Sequence, residues 1–135
     1  MIPLFVYGSL RPGKQNNHRL AVDAIHKGTF KTRDKYYMIG LKSGAYPYVT
    51  DEPLCSELQP IEITGDLYEV TPTVLNWLDL LEANYQRVNV TLDNNQEAQM
   101  YMLLEPKIKN EIRKYFDNGW TRRFKGVPSG DWYNA

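Results

Sequence analysis

Hydrophobic positions along this chain fall into three patterns: short continuous runs, strict alternation, and helical spacing. The first run, Leu4-Phe5-Val6-Tyr7, ends abruptly in Gly8-Ser9. Successive apolar residues of this kind read as a buried strand. The small residues after them allow a tight turn whose backbone N–H groups are left to point at a ligand. Residues 11–17 are polar and include Pro12 and Gly13, which predicts an exposed loop beside that turn. Leu20, Ala21, Ala24 and Ile25 then recur at helical spacing, predicting a short helix over residues 18–25.

From residue 28 to 41 the pattern becomes β-like, as two strands or one long bent strand, with Tyr36-Tyr37-Met38-Ile39 continuously apolar. Pro47 among the aromatics Tyr46 and Tyr48 suits a sheet edge or a turn and a pocket wall, and residues 51–60 read as a loop. Alternation resumes at Ile61, Ile63, Leu67 and Val70. Gly65-Asp66 interrupts it, predicting a bulge or a close backbone approach. Thr71-Pro72 is a helix start, because threonine caps free N–H groups and proline at the first helical position has none to leave unsatisfied. That helix is predicted to run to about residue 83 with Val74, Trp77, Leu78 and Leu81 as its apolar stripe. At about 100° per residue, Glu82 falls within about 20° of Leu75 and about 40° of Leu78, so its carboxylate borders the buried face. Residues 86–93 and 96–104 read as a hairpin turning at Asn94-Asn95, and Ile108, Ile112, Tyr115 and Phe116 mark one face of a helix ending at 117–119. The remainder reads as an irregular tail that folds back.

Composition narrows the function classes. A length of 135 residues with 42% hydrophobic content suits one domain, and 16 basic against 16 acidic side chains give no global field favouring nucleic acid or an anionic membrane. A small-molecule substrate is the expectation. One cysteine, Cys55, precludes an internal disulfide framework, and the first residues show neither a basic leader nor a membrane-length apolar run. A cytoplasmic protein is the default expectation. Ten tyrosines and three tryptophans suit a pocket wall as well as a core. His18, His26 and Cys55 lack metal-ligand spacing, so no metal is expected, and Gly8-Ser9-Leu10 lacks the pattern of a phosphate loop. Residues 107–125 carry seven basic and two acidic side chains with aromatics between them. RNA binding is one reading of that segment, and a solvated face on a covering helix is the simpler one. No heptad or interface stripe indicates an oligomeric state.

Tyr7-Gly8-Ser9-Leu10, Tyr46-Pro47, Gly65-Asp66-Leu67-Tyr68, Leu78-Asp79 with Glu82, and Tyr85-Gln86-Arg87 occur in the order found in the γ-glutamyl cyclotransferase-like family. The chain resembles its γ-glutamylamine cyclotransferase and bacterial AIG2-like branch over residues 4–104. Asn17-His18-Arg19 and Ser129-Gly130-Asp131-Trp132 resemble further short motifs there, and the segment from about 107 is divergent. The resemblance implies an α+β fold, a small barrel-like mixed sheet flanked by short helices, spanning residues 1–135 as one domain. It also implies cofactor-free cleavage of a γ-glutamyl amine or peptide by its own α-amine, releasing 5-oxo-L-proline and a free amine. Glu82 would then be the general acid/base, the backbone of Tyr7, Gly8, Ser9 and Leu10 would hold the γ-glutamyl group, and Tyr46, Pro47 and Tyr85 would shape the pocket. The alternative is a non-catalytic protein binding or interacting through the same cavity.

Overall fold

Why the first apolar run is uninterrupted becomes clear from its neighbours. In the computed structural model, which describes residues 1–20, 23–41, 47–56, 58–117 and 124–134, Ile2–Val6 forms β1. It lies between Ile61–Val70 (β4), antiparallel to it, and Glu97–Met102 (β6), parallel to it. Side chains alternate across a strand, and both faces of β1 are covered. Phe5 and Tyr7 enter a core with Met38, Ile63, Leu67 and Met100, while Leu4 and Val6 enter another with Leu20, Val70, Leu75 and Leu78.

The remaining strands are Ile25–Leu41 (β2), Pro47–Thr50 (β3), Gln86–Thr91 (β5) and Phe124–Gly126 (β7). The sheet order is β3-β2-β4-β1-β6-β5, and β7 pairs with β2 beyond the stretch that β4 occupies. β2 is the long bent strand. Its register against β4 shifts between His26 and Gly28, where Gly28 adopts φ 128°, and again between Lys31 and Lys35. Such irregularities bend a strand. At the second, the Thr32 hydroxyl accepts the Ile63 N–H at 2.9 Å, replacing the lost ladder contact. The bend carries β2 to the far end of the β5–β6 hairpin, where Thr32 bridges Leu92 and the Asp93 N–H donates to the Lys31 carbonyl at 2.8 Å. At the other end the Leu103 N–H donates to the Val49 carbonyl at 2.9 Å. These isolated ties curl the sheet without closing it by a ladder, so the fold is mixed α+β and barrel-like only loosely.

Two expected features differ. The helix expected over 18–25 is a single 3₁₀ turn at Asn17–Leu20, and Ile25 already belongs to β2, because β4 offers it a full ladder of hydrogen bonds. Gly65-Asp66 pairs in register, so the bulges lie in β2; a Cβ on Gly65 would stand 2.4 Å from the Val6 carbonyl, making this a close backbone approach.

Helix α1, Pro72–Leu81, begins as expected, with the Thr71 hydroxyl accepting the Val74 N–H at 3.2 Å. Its buried face is Leu75 and Leu78, whereas Trp77 and Leu81 are about half exposed, at 45% and 46%. The expected stripe was therefore displaced toward the side where the Arg19 guanidinium lies 5.8 Å from the Trp77 ring centroid. Helix α2, Pro106–Asp117, buries Ile112 against Ile39, Leu54 and Leu103. Lys109 on it is buried, with its ammonium 2.7 Å from Asp51 and 3.3 Å from Glu52; Arg113 also reaches Glu52, at 2.7 Å. The tail folds back. The Val127 N–H donates to the Met38 carbonyl, Gly130 accepts from the Thr64 N–H, and the Trp132 ring covers Gly40.

Candidate active site

The end of β1 delivers the chain into a turn whose carbonyls and side chains are tied down locally. The Gly8 carbonyl accepts from the Arg11 N–H at 3.0 Å, the Ser9 carbonyl from Asn16 N–H at 2.9 Å, and the Leu10 carbonyl from the Asn17 amide at 2.8 Å. Asn16 also donates to the Ser9 hydroxyl at 2.7 Å, and Asn17 to the Tyr68 hydroxyl at 3.1 Å. Among the described residues none accepts from the N–H groups of Gly8, Ser9 or Leu10. A turn with carbonyls engaged and successive N–H groups unengaged is suited to an anion.

Behind it stands an ionic latch. Arg11 places Nε 2.7 Å from Asp66 and a terminal nitrogen 2.7 Å from Asp131, so the loop after the turn is fastened to β4 and to the tail. Thr29 donates to Asp66 at 2.7 Å, and the His26 ring lies 2.8 Å from it. Burial alone would raise the Asp66 carboxyl. The hydrogen bonds from Thr29, Arg11 and His26, with the Arg11 charge, outweigh burial and hold it below the usual range.

Glu82 reaches the same space from α1. It caps the helix C-terminus, its N–H donating to the Leu78 carbonyl at 2.8 Å and its carbonyl accepting from the Tyr85 N–H at 2.9 Å. Positions 75, 78 and 82 lie along one helical line, so burial of the two leucines sets the carboxylate at the edge of the core. Desolvation raises its pKa above the ordinary 4.5, opposed by the positive charge of Arg19.

Tyr7, Gly8, Ser9, Leu10, Pro47, Glu82 and Tyr85 together line one cavity of about 480 Å³; the expected Tyr46 lies outside the described residues. Tyr48, from the stretch expected as a pocket wall, lines it too, and so do Gln15, Asn16, Asn84 and Tyr101, which were not singled out by the sequence. Asn16 had a signal, since the polar loop was expected beside the turn. Tyr101 had none, because an alternating tyrosine in a strand reads as core.

Two phenols flank the carboxylate. Tyr7 donates its hydroxyl to the Tyr101 carbonyl at 2.7 Å, and Tyr101 donates its own to Asp79 at 2.6 Å. Arg87 grips Asp79 with two nitrogens, at 2.8 and 3.0 Å. Burial, with Glu82 close by, pushes Tyr7 far above the usual phenol range; burial and the Asp79 hydrogen bond do the same to Tyr101. Neither phenol releases its proton near neutrality, and the described lining contains one carboxylic acid, Glu82. Among the described residues no group of three or more His, Cys, Asp or Glu side chains is placed to hold a metal, and no helix is long and apolar enough to cross a membrane.

The family model described as gamma-glutamyl cyclotransferase, AIG2-like, matches residues 4–134. The chain belongs to this family. A candidate gamma-glutamylcyclotransferase of Methanocaldococcus jannaschii is 32% identical over 109 residues, covering 77% of this chain and 84% of that one. A zebrafish protein named gamma-glutamylaminecyclotransferase A is 29% identical, over 67% of this chain and 58% of its own length. Among solved structures, the AIG2-like protein of mouse superposes with a TM-score of 0.62 at 23% identity, covering 79% of this chain and 81% of that one. At that identity the likeness shows the fold alone.

Proposed function

We propose that this cyclotransferase-family protein cleaves γ-glutamyl amides by intramolecular attack. The substrate's α-ammonium gives a proton to Glu82, and the freed amine attacks the side-chain carbonyl, forming the ring C–N bond. Glu82 then returns that proton to the departing nitrogen as the amide C–N bond breaks, and takes up the second proton that the ring nitrogen must shed, which passes to the released amine to give its ammonium. The products are 5-oxo-L-proline and a free amine, and no cofactor or water is consumed. One carboxyl serves both transfers because base and acid act in sequence on neighbouring nitrogens. Folding the substrate into an attacking conformation supplies much of the rate, since nucleophile and electrophile share one molecule. In this reading the N–H groups of Gly8, Ser9 and Leu10 hold the α-carboxylate, Tyr7 and Pro47 shape the space around the γ-glutamyl chain, and Tyr85 shapes the remainder of the pocket.

The observation that carries the proposal is the convergence of a raised carboxyl and an anion-suited turn on one cavity, from strands and a helix some seventy residues apart in sequence. Family membership supports the reaction type. The test is 5-oxoproline release, followed by mass spectrometry over a panel of γ-glutamyl amines and peptides. Wild type is expected to release product, and Glu82→Gln to lose at least about 10²-fold in kcat while remaining folded. Full turnover by the folded variant would remove Glu82 from the mechanism. Binding of γ-glutamyl compounds without product from wild type would favour a non-catalytic role for the cavity.

A further inference from the structure

The proposed reaction assigns two regions of the cavity and leaves a third. The α-carboxylate belongs at the turn of residues 8–10, and the amide nitrogen, which takes its proton from Glu82, belongs at that carboxyl. The substituent on this nitrogen must therefore extend past Glu82, away from the turn. There the chain folds tightly: the hydrogen bond from the Tyr85 N–H to the Glu82 carbonyl, at 2.9 Å, brings Asn84 and Tyr85 onto the adjoining wall. The Tyr85 ring stacks on Tyr48, with centroids 5.9 Å apart and planes inclined by 20°, and both residues line the cavity. The cavity volume of about 480 Å³ lies in the range that encloses drug-sized ligands, leaving room beyond a γ-glutamyl group.

We propose that Tyr48 and Tyr85 form a leaving-group subsite for amines bearing a flat apolar substituent, so that γ-glutamyl arylalkylamines are the preferred substrate class. This rests on the cyclotransferase reading above. A planar ring entering beside a stacked pair extends it in the offset or edge-on arrangement that aromatic groups favour. Asn84 supplies a neutral polar rim. A leaving group carrying its own carboxylate, as in a γ-glutamyl amino acid, would meet both this aromatic wall and the repulsion of Glu82 in a partly desolvated site.

The test compares kcat/KM for γ-glutamyl-phenethylamine, γ-glutamyl-ethylamine and γ-glutamyl-alanine in wild type, Tyr85→Leu and Tyr48→Leu, with thermal melts to establish folding. Wild type should favour the phenethyl over the ethyl substrate by roughly tenfold or more. The alanine derivative should be poorest, and the phenethyl-to-ethyl ratio should fall below about threefold in whichever tyrosine variant folds. Equal use of the two amines, preference for the alanine derivative, or a ratio that survives both substitutions overturns the subsite. Wild type that turns over none of the three defeats the cyclotransferase reading instead. Calorimetric binding of the same compounds to Glu82→Gln then decides the subsite separately: tighter phenethyl binding by a similar ratio upholds it, and equal or absent binding overturns it.

Discussion

Burial of the Glu82 carboxyl couples stability to pH and, in the proposed mechanism, to activity. Its carboxyl titrates above 4.5 in the fold because the ionised form is poorly hydrated beside Leu75 and Leu78. A raised carboxyl pKa means that the folded state binds the proton more tightly than the unfolded chain, so ionisation costs stability above the folded pKa and costs nothing below 4.5. Glu82→Gln should therefore raise Tm at neutral pH, with the gain vanishing as pH falls through that window, measured by melts at a series of pH values. In the proposed mechanism the same titration sets the acid limb of kcat/KM, expected above the position of an ordinary glutamate. Asp66 has the opposite sign. Its folded pKa is depressed below 3.8, so its contribution is complete above 3.8 and lost as pH falls through the lower folded value. Asp66→Asn should flatten acid denaturation in that range, and an unchanged acid limb would show that the Arg11 latch contributes nothing there. At this scale the sequence was informative about Glu82, through its angle to Leu75, and silent about the partners of Asp66, which come from the loop at Arg11 and from His26 and Thr29 on β2.

At the scale of elements, α1 is where local signals and tertiary demands agree. Thr71 and Pro72 specify its start without reference to anything distant, which is why the helix was legible. Replacing Thr71 with alanine removes the acceptor for the Val74 N–H and should cost about 1 kcal/mol, a loss of several degrees in Tm. The other end is held from outside. Asp79, one turn before Glu82, accepts from Tyr101 and twice from Arg87, tying the helix to the β5–β6 hairpin. Both charged partners are about one third exposed, so their attraction alone contributes little. Asp79→Leu nevertheless leaves a guanidinium and a phenol without their acceptor, and is expected to cost about 1–3 kcal/mol in denaturant unfolding and to lower kcat by loosening Glu82. The mistaken helix at 18–25 has a complementary cause. Leu20 is buried under α1 and Ile25 lies on the sheet, so their spacing reflects two separate destinations and not one helical face. Trp77 misled for a similar reason: its hydrophobicity is spent on the exposed side, beneath Arg19.

Across the whole molecule, the tail completes a structure that the first hundred residues leave unfinished. Asp131 holds Arg11 from behind the turn of residues 8–10, and Trp132 packs so closely on β2 that a Cβ on Gly40 would run into its ring. Gly40→Ala should therefore expel Trp132 and cost about 1–3 kcal/mol or more. Limited proteolysis should then cleave the last ten or so residues first, and a tail that stays protected in the variant would show that the contact is not what docks it. The motif Ser129-Gly130-Asp131-Trp132 was visible in sequence, but its partners were not, because a loop latch and a glycine platform leave no local pattern.

The placement of β1 also has a consequence for synthesis. Its ladder partners are Asp66–Val70 and Gln99-Met100, so β1 is synthesised about sixty residues before the one and about ninety before the other, and its second edge is paired late. At roughly 5–20 residues per second it waits on the order of five to twenty seconds as an exposed apolar segment. Nascent chains stalled before β6 should accordingly remain protease-sensitive at β1 and bind chaperones that hold extended hydrophobic peptides, with full protection arriving only once the hairpin has emerged.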